Sequence, residues 1–231
     1  MTSSGVDPCA DPGAGSAPVG YPPAGSARLS SAPAVILVRH GETEWSKSGR
    51  HTGRTDVALT ATGEAQAVAA GRLVRMLLGG RPPGIVISSP RQRATRTAQL
   101  AGFRPDELTE AAAEWDYGDF EGLTTSEIRR QHPGWTVWSG PVPSGERPGD
   151  VAARVDGLLA RAEHDRAAGP IVLFSHGHAC RCIAARWLCS PVTAGRHWAL
   201  DTGAVSVLGH EHDQPVISRW NLSPELLSPP G

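Results

Sequence analysis

Three short apolar runs, each ending abruptly in a charged or hydroxylated step, constrain this chain more than any other feature. Val35-Ile36-Leu37-Val38 stops at Arg39-His40-Gly41, Ile85-Val86-Ile87 at Ser88-Ser89-Pro90, and Ile171-Val172-Leu173-Phe174 at Ser175-His176-Gly177-His178. Runs this short and this apolar read as strands buried on both faces. Helical stretches separate them. Thr60 can cap a helix over 61–78, with Ala65, Val68, Ala69, Leu73, Met76 and Leu77 as its apolar face and Gly79-Gly80 as its stop. Pro90 suits the first turn of a helix over 91–101. Thr124 or Thr125 caps a short helix through Arg130, and 151–167 and the stretch from 178 through Leu188 also read as helical. Residues 114–122 read as loop, 132–149 as an irregular lid-like segment, and 204–208 and 216–220 as the last strands. Strands alternating with helices imply an α/β single domain with a mostly parallel central sheet and helices on both faces. In such sheets the site lies beyond the carboxyl ends of the strands.

The 231 residues suffice for one domain, expected over 34–222. Residues 1–33 are rich in Gly, Ala, Ser and Pro and offer too little apolar surface to offset ordering entropy, so a disordered tail is expected there, with a loose end over 223–231. The N-terminal stretch lacks the apolar core and basic start of a signal peptide, and nothing approaches a membrane span. A net charge of −1 gives no general attraction to nucleic acid or an anionic membrane, so neither is expected as a partner. Cys9, Cys180, Cys182 and Cys189 lack a structural zinc spacing and read as reduced thiols, which favours the cytoplasm.

Transfer of a dianionic phosphoryl group to a side chain requires fixed cations, an in-line nucleophile and an acid for the departing alkoxide. Arg39 and His40 project from the first strand end, Arg93 follows the second, and His176 sits at the third. A guanidinium binds phosphate bidentately, and a neutral imidazole can attack phosphorus if its other nitrogen is hydrogen-bonded. Each of these residues alone would be an ordinary structural or surface group. Their combination is the signal.

Arg39-His40-Gly41-Glu42-Thr43-x-Trp45 resembles the signature of the histidine phosphatase (phosphoglycerate mutase-like) superfamily. Ser89-Pro90-x-x-Arg93-Ala94-x-x-Thr97-Ala98 resembles its second element, Glu114-x-x-Tyr117-Gly118-x-x-Glu121-Gly122 its acid loop, and Ser175-His176-Gly177 its last. The resemblance implies a phosphoglycerate mutase-like fold, a phosphorylated His40, and an anion pocket completed by Arg39, Arg93 and a cationic His176. It implies that Glu114 protonates the leaving oxygen and then activates the water. No cofactor or metal is required. Over 45–56 the chain resembles loops that hold substrate oxyanions, making Ser46, His51, Thr52, Gly53 and Arg54 substrate-binding candidates, along with Tyr117, Gly177 and His178. Ser46 stands where related mutases carry asparagine; its hydroxyl could still donate to phosphate. The whole set is most similar to the broad acid phosphatase and sedoheptulose-bisphosphatase-like subgroup, among whose relatives dimers are common, so a homodimer is an open option.

Mutases must shield phosphohistidine from water. Here only 62 positions separate Glu114 from His176 (176 − 114), with nothing like a mutase's added basic segment. The expected activity is therefore hydrolysis of a small phosphate monoester of a sugar or sugar-like molecule. A phosphoglycerate mutase and a phosphatase for a carbocyclic or amino-sugar phosphate in an antibiotic pathway are the alternatives; a non-catalytic phosphate-binding module would be expected to lack His40 or Glu114. Trp135 and Trp138 could stack on a sugar or simply pack the lid, and Arg129, Arg130 or Arg181 could grip a second phosphate.

Overall fold

The computed structural model describes residues 33–164 and 168–223. The expected tail over 1–33 and loose end over 223–231 therefore lie, except for their innermost residues, outside the described part. The strands are β1 (Val35–Arg39), β2 (Ile85–Ser88), β3 (Glu107–Leu108), β4 (Ile171–Ser175), β5 (Val205–Glu211) and β6 (Gln214–Leu222). They form one sheet in the order β3-β2-β4-β1-β5-β6. β3, β2, β4 and β1 run parallel, and β5 and β6 are added antiparallel at one edge. The β5–β6 turn uses His212 and Asp213, both at positive φ (47° and 66°), the twist a two-residue hairpin favours.

Successive residues of the central strands serve opposite faces, as the pleat demands. Val35, Leu37, Ile171, Leu173 and Ile87 face a core built with α5 (Pro148–His164) and α6 (Gly177–Trp187). Ile36, Val38, Val172, Phe174 and Val86 face one built with α2 (Ala61–Leu78) and α3 (Gln92–Leu100). Burial on both faces explains why these strands read as unbroken apolar runs.

Of the apolar face expected for α2, only Leu73 is buried. Ala65 is exposed, Val68 and Met76 are 39 % and 64 % exposed, and Ala69 and Leu77 are only partly covered. The buried stripe is Gly63, Ala67, Ala70, Gly71, Leu73, Val74 and Leu78. Small residues form much of this stripe because the contact is backbone against backbone. A Cβ on Gly63 would lie 2.1 Å from the Glu42 carbonyl oxygen, and one on Gly71 2.2 Å from that of Ala101. Thr60 caps α2 through Gly63 N–H and Gly79 closes it in the left-handed conformation, as expected.

Two further helices are short: α1 (Glu44–Ser48) and α4 (Thr125–Gln131). α4 follows its Thr124 cap as expected; α1 and the two-residue β3 are too short to show periodicity. α5 begins earlier than expected, with Pro148 in its first turn; its expected end at 165–167 lies outside the described residues. Cys180 and Cys182 are buried free thiols. Cys189 lies exposed just beyond α6, and Cys9 lies outside the described residues.

Gly63→Ala should cost about 1–3 kcal/mol, read as a lowered Tm, because its methyl must displace backbone. Gly157→Ala on the exposed face of α5, where a Cβ meets nothing within 4 Å, should instead stabilise by about 0.4–1 kcal/mol. Equal Tm values for the two variants would contradict the close α2 contact.

Candidate active site

The ends of β1, β4 and β2 are held level by the sheet itself. Arg39 pairs with Ser175 in register, His40 N–H donates to the Ser175 carbonyl at 3.0 Å, and Ser89 N–H donates to that of Phe174 at 3.0 Å. His40, Ser89 and His176 therefore emerge side by side. The two imidazoles meet edge to face with centroids 5.2 Å apart.

His40 is 5 % exposed, and its Nδ1 lies 2.7 Å from the Gly41 carbonyl oxygen. A carbonyl can only accept, so Nδ1 carries the proton and Nε2 keeps its lone pair. Burial, then the positive charges of Arg93 and Arg39, hold the His40 pKa well below the ordinary imidazole value, so the ring is neutral. The Gly41 peptide is itself fixed. Its N–H donates to Thr97 Oγ1 at 3.1 Å, and a Cβ on Gly41 would lie 2.1 Å from the Gly63 carbonyl oxygen.

Arg93 is fully buried and donates through Nε to His176 Nδ1 at 3.1 Å. Arginine cannot accept, so the neutral His176 ring carries its proton on Nε2 and donates it to Ser89 Oγ at 2.7 Å. That arrangement leaves the Ser89 hydroxyl proton free to donate. His176 was expected as an imidazolium; burial and the nearby Arg93 push its pKa well down, so the structure has a neutral ring there. The fixed positive charge thus falls to the guanidiniums of Arg39 and Arg93, which burial lowers from the ordinary arginine value while Glu114 opposes the shift.

Arg93 also clamps the preceding loop, donating to the carbonyls of Thr52, Gly53 and Thr55 at 2.8–2.9 Å. From the other side the Glu121 carboxylate accepts Gly53 N–H at 2.9 Å and Thr55 N–H at 3.1 Å. Arg39 donates to the Leu200 carbonyl and lies under Gly177, where a Cβ would come within 3.3 Å of the guanidinium.

Glu114 sits in the loop after a 3-10 turn (Glu110–Ala112), against the start of α6. Its Oε1 accepts N–H bonds from Trp115 and Ala179, and its Oε2 accepts one from His178. Two donors on Oε1 and one on Oε2 leave Oε2 with the open lone pair. A cleft of about 510 Å³ opens beside it, bordered by Arg54, Arg91, Asp116, Glu146 and Arg154.

The remaining candidates are brought near but are differently engaged. The Ser46 hydroxyl donates to Thr43 O at 3.0 Å and accepts Thr43 N–H at 2.9 Å, completing the capping box of α1. Tyr117 is buried, with its hydroxyl 2.7 Å from His178 Nδ1. His51 stacks on Tyr117 at 4.7 Å and reaches Thr125 Oγ1 at 3.1 Å. Arg54 is 76 % exposed and pairs with Asp116 at 2.8 Å. Trp135 and Trp138 are buried in the 132–147 segment; the indole of Trp135 donates to Pro141 O. Arg129 is tied to Trp135 O, while Arg181 lies 4.7 Å over the Trp138 ring and interacts with Glu114. Ser89, Thr97 and Glu121 were visible only as letters within motifs, because their parts depend on contacts across the fold. Among the described residues, no group of three or more His, Cys, Asp or Glu is placed to hold a metal ion.

Residues 35–223 match the model of the histidine phosphatase superfamily (branch 1). The chain belongs to this superfamily. It is 44 % identical to an acid phosphatase of Mycobacterium tuberculosis, over 77 % of this chain and 87 % of the relative. It is 30 % identical to the sedoheptulose 1,7-bisphosphatase of Saccharomyces cerevisiae, over 87 % and 96 %. Among solved structures, a Mycobacterium tuberculosis protein overlays with a TM-score of 0.79 at 41 % identity, covering 82 % of this chain and 97 % of that one. A mycobacterial glucosyl-3-phosphoglycerate phosphatase overlays at 0.69 with 27 % identity, covering 82 % and 98 %. One α/β domain carries all four motifs. No helix among the described residues is long and apolar enough to cross a membrane.

Buried neutral histidines give this histidine phosphatase superfamily member a pH signature. His40, His176 and His178 all have depressed pKa values, first through burial. The unfolded chain binds protons on these rings below about pH 6.5, where the folded state does not, so stability must fall as pH drops through that value. Thermal melts of the ligand-free protein should show Tm declining from pH 7 to pH 5; a flat profile would contradict the buried neutral rings.

Proposed function

We propose that the chain is a metal-independent phosphatase that hydrolyses the phosphate monoester of a sugar or sugar-like metabolite through a phosphohistidine on His40. The observation that carries this reading is the His40 Nδ1–H bond to the Gly41 carbonyl, which leaves a neutral Nε2 lone pair among two guanidiniums. The Nε2 lone pair attacks phosphorus, the bond to the leaving oxygen breaks, and that oxygen takes a proton from Glu114 Oε2. Water then returns a proton to Glu114 and attacks phosphorus, and the P–N bond electrons go back to Nε2. Arg39, the remaining N–H of Arg93, and the free Ser89 O–H stabilise the equatorial oxygens.

Support for a polyhydroxylated leaving group comes from the cleft beside Glu114, where the Arg54–Asp116 and Arg91–Glu110 pairs alternate donors with acceptors. Of the three arginines considered for a second phosphate, Arg181 is the one whose charge interacts with Glu114, so it is the candidate contact for bisphosphates. Phosphatase names among the relatives, including the 44 % identical acid phosphatase, favour hydrolysis over the mutase activity suggested by a Salmonella probable phosphoglycerate mutase at 32 % identity.

Glu114→Gln should lower kcat on alkyl phosphates by about 10²–10⁴-fold, and far less on p-nitrophenyl phosphate, whose leaving group needs no proton. Equal losses on both would remove Glu114 from the acid role. Activity should survive EDTA; loss to EDTA would overturn metal independence. With 3-phosphoglycerate and 2,3-bisphosphoglycerate as primer, phosphate release should exceed isomerisation, and the opposite ratio would make the chain a mutase.

A further inference from the structure

Residues 114–116, which carry Glu114, belong to no helix or strand. Arg154, on α5, supplies the missing constraint. Its Nε donates to Glu146 Oε1 at 2.7 Å. One terminal nitrogen donates to the carbonyls of Ala111 and Ala113 at 3.0 and 2.9 Å. The other donates to Glu146 Oε2 at 3.1 Å and reaches the Glu114 carbonyl at 3.4 Å. Every N–H of the guanidinium is thereby engaged. Glu146 closes the frame: Oε2 accepts Asp116 N–H at 2.9 Å, its carbonyl accepts the Trp115 indole N–H at 2.9 Å, and its N–H donates to Asp116 O at 3.0 Å.

The two side chains are only 17 % and 22 % exposed, so the charges are partly desolvated and held by each other. The frame grips the backbone on both sides of Glu114 and leaves its carboxyl to the N–H groups of α6. Shifting the backbone would carry Oε2 away from the leaving oxygen, and proton transfer tolerates little displacement.

We propose that Arg154, locked by Glu146, is a positioning residue that aims the Glu114 carboxyl and so governs leaving-group protonation without touching the substrate. This rests on the reading of Glu114 as the acid. Its signature is dependence on the leaving group, which a merely structural arginine would not produce.

The test compares kcat and KM on glycerol 3-phosphate and p-nitrophenyl phosphate for Arg154→Met, Arg154→Lys, Glu146→Gln and Glu114→Gln. Arg161→Met, which breaks the pair between Arg161 of the same helix and Glu107 of β3, is the control. Arg154→Met should lose about tenfold to a hundredfold more kcat on the alkyl ester than on the nitrophenyl ester, with KM little changed. Arg154→Lys and Glu146→Gln should lose less in the same sense, and Arg161→Met should show no such difference. The double variant Glu114→Gln with Arg154→Met should be no more ester-selective than Glu114→Gln alone. If Arg154→Met does not fold, the Lys and Gln variants carry the same comparison. Ester-selective loss in Glu114→Gln, with equal losses on both esters in the Arg154 and Glu146 variants, overturns this proposal and leaves the acid role standing. Equal losses in Glu114→Gln itself overturn both.

Discussion

One peptide, Gly41, organises this site. Its carbonyl takes the His40 Nδ1 proton, its N–H is held by Thr97 from α3, and its Cα is pressed against Gly63 of α2. Two helices thus brace the group that decides which nitrogen of His40 keeps its lone pair. That explains why α2 meets the sheet end through glycines rather than large apolar residues: any side chain there would move the carbonyl. It also explains Thr97, one helical turn beyond Arg93, so that α3 supplies both a guanidinium and the hydroxyl that fixes the peptide.

Electrostatics follows from this packing. Two buried guanidiniums stand beside two neutral imidazoles, and the rings are neutral because burial and the guanidiniums both disfavour a further positive charge. Arg93 has a second use in the same geometry, because its terminal nitrogens hold the carbonyls of the 52–55 loop while Glu121 holds the N–H groups. A cation and an anion grip opposite edges of one loop, fixing its path without relying on its own hydrogen bonds.

What the sequence made legible was whatever depends on pattern. The central strands showed themselves because burial on both faces leaves an apolar run, and the abrupt change to Arg39-His40 or Ser175-His176 marked where the sheet ends at a buried polar site. The charge of His176 was misread because it depends on Arg93 donating to its Nδ1 across 83 positions of sequence. Ser46 read as a phosphate donor, yet its hydroxyl is consumed locally by the capping box. Arg154 and Glu146 were invisible because they act on backbone groups, which no residue pattern records.

On the proposed mechanism His40 Nε2, and no other atom, receives the phosphoryl group, because the Gly41 carbonyl occupies Nδ1–H. Rapid acid-free quenching during turnover of a phosphate monoester, followed by peptide mapping and phosphorus NMR, tests this most directly. Phosphate on Nε2 of His40, abolished in His40→Ala, is the predicted result. Phosphate on Nδ1, on another residue, or on no residue under conditions that trap phosphohistidine would contradict it.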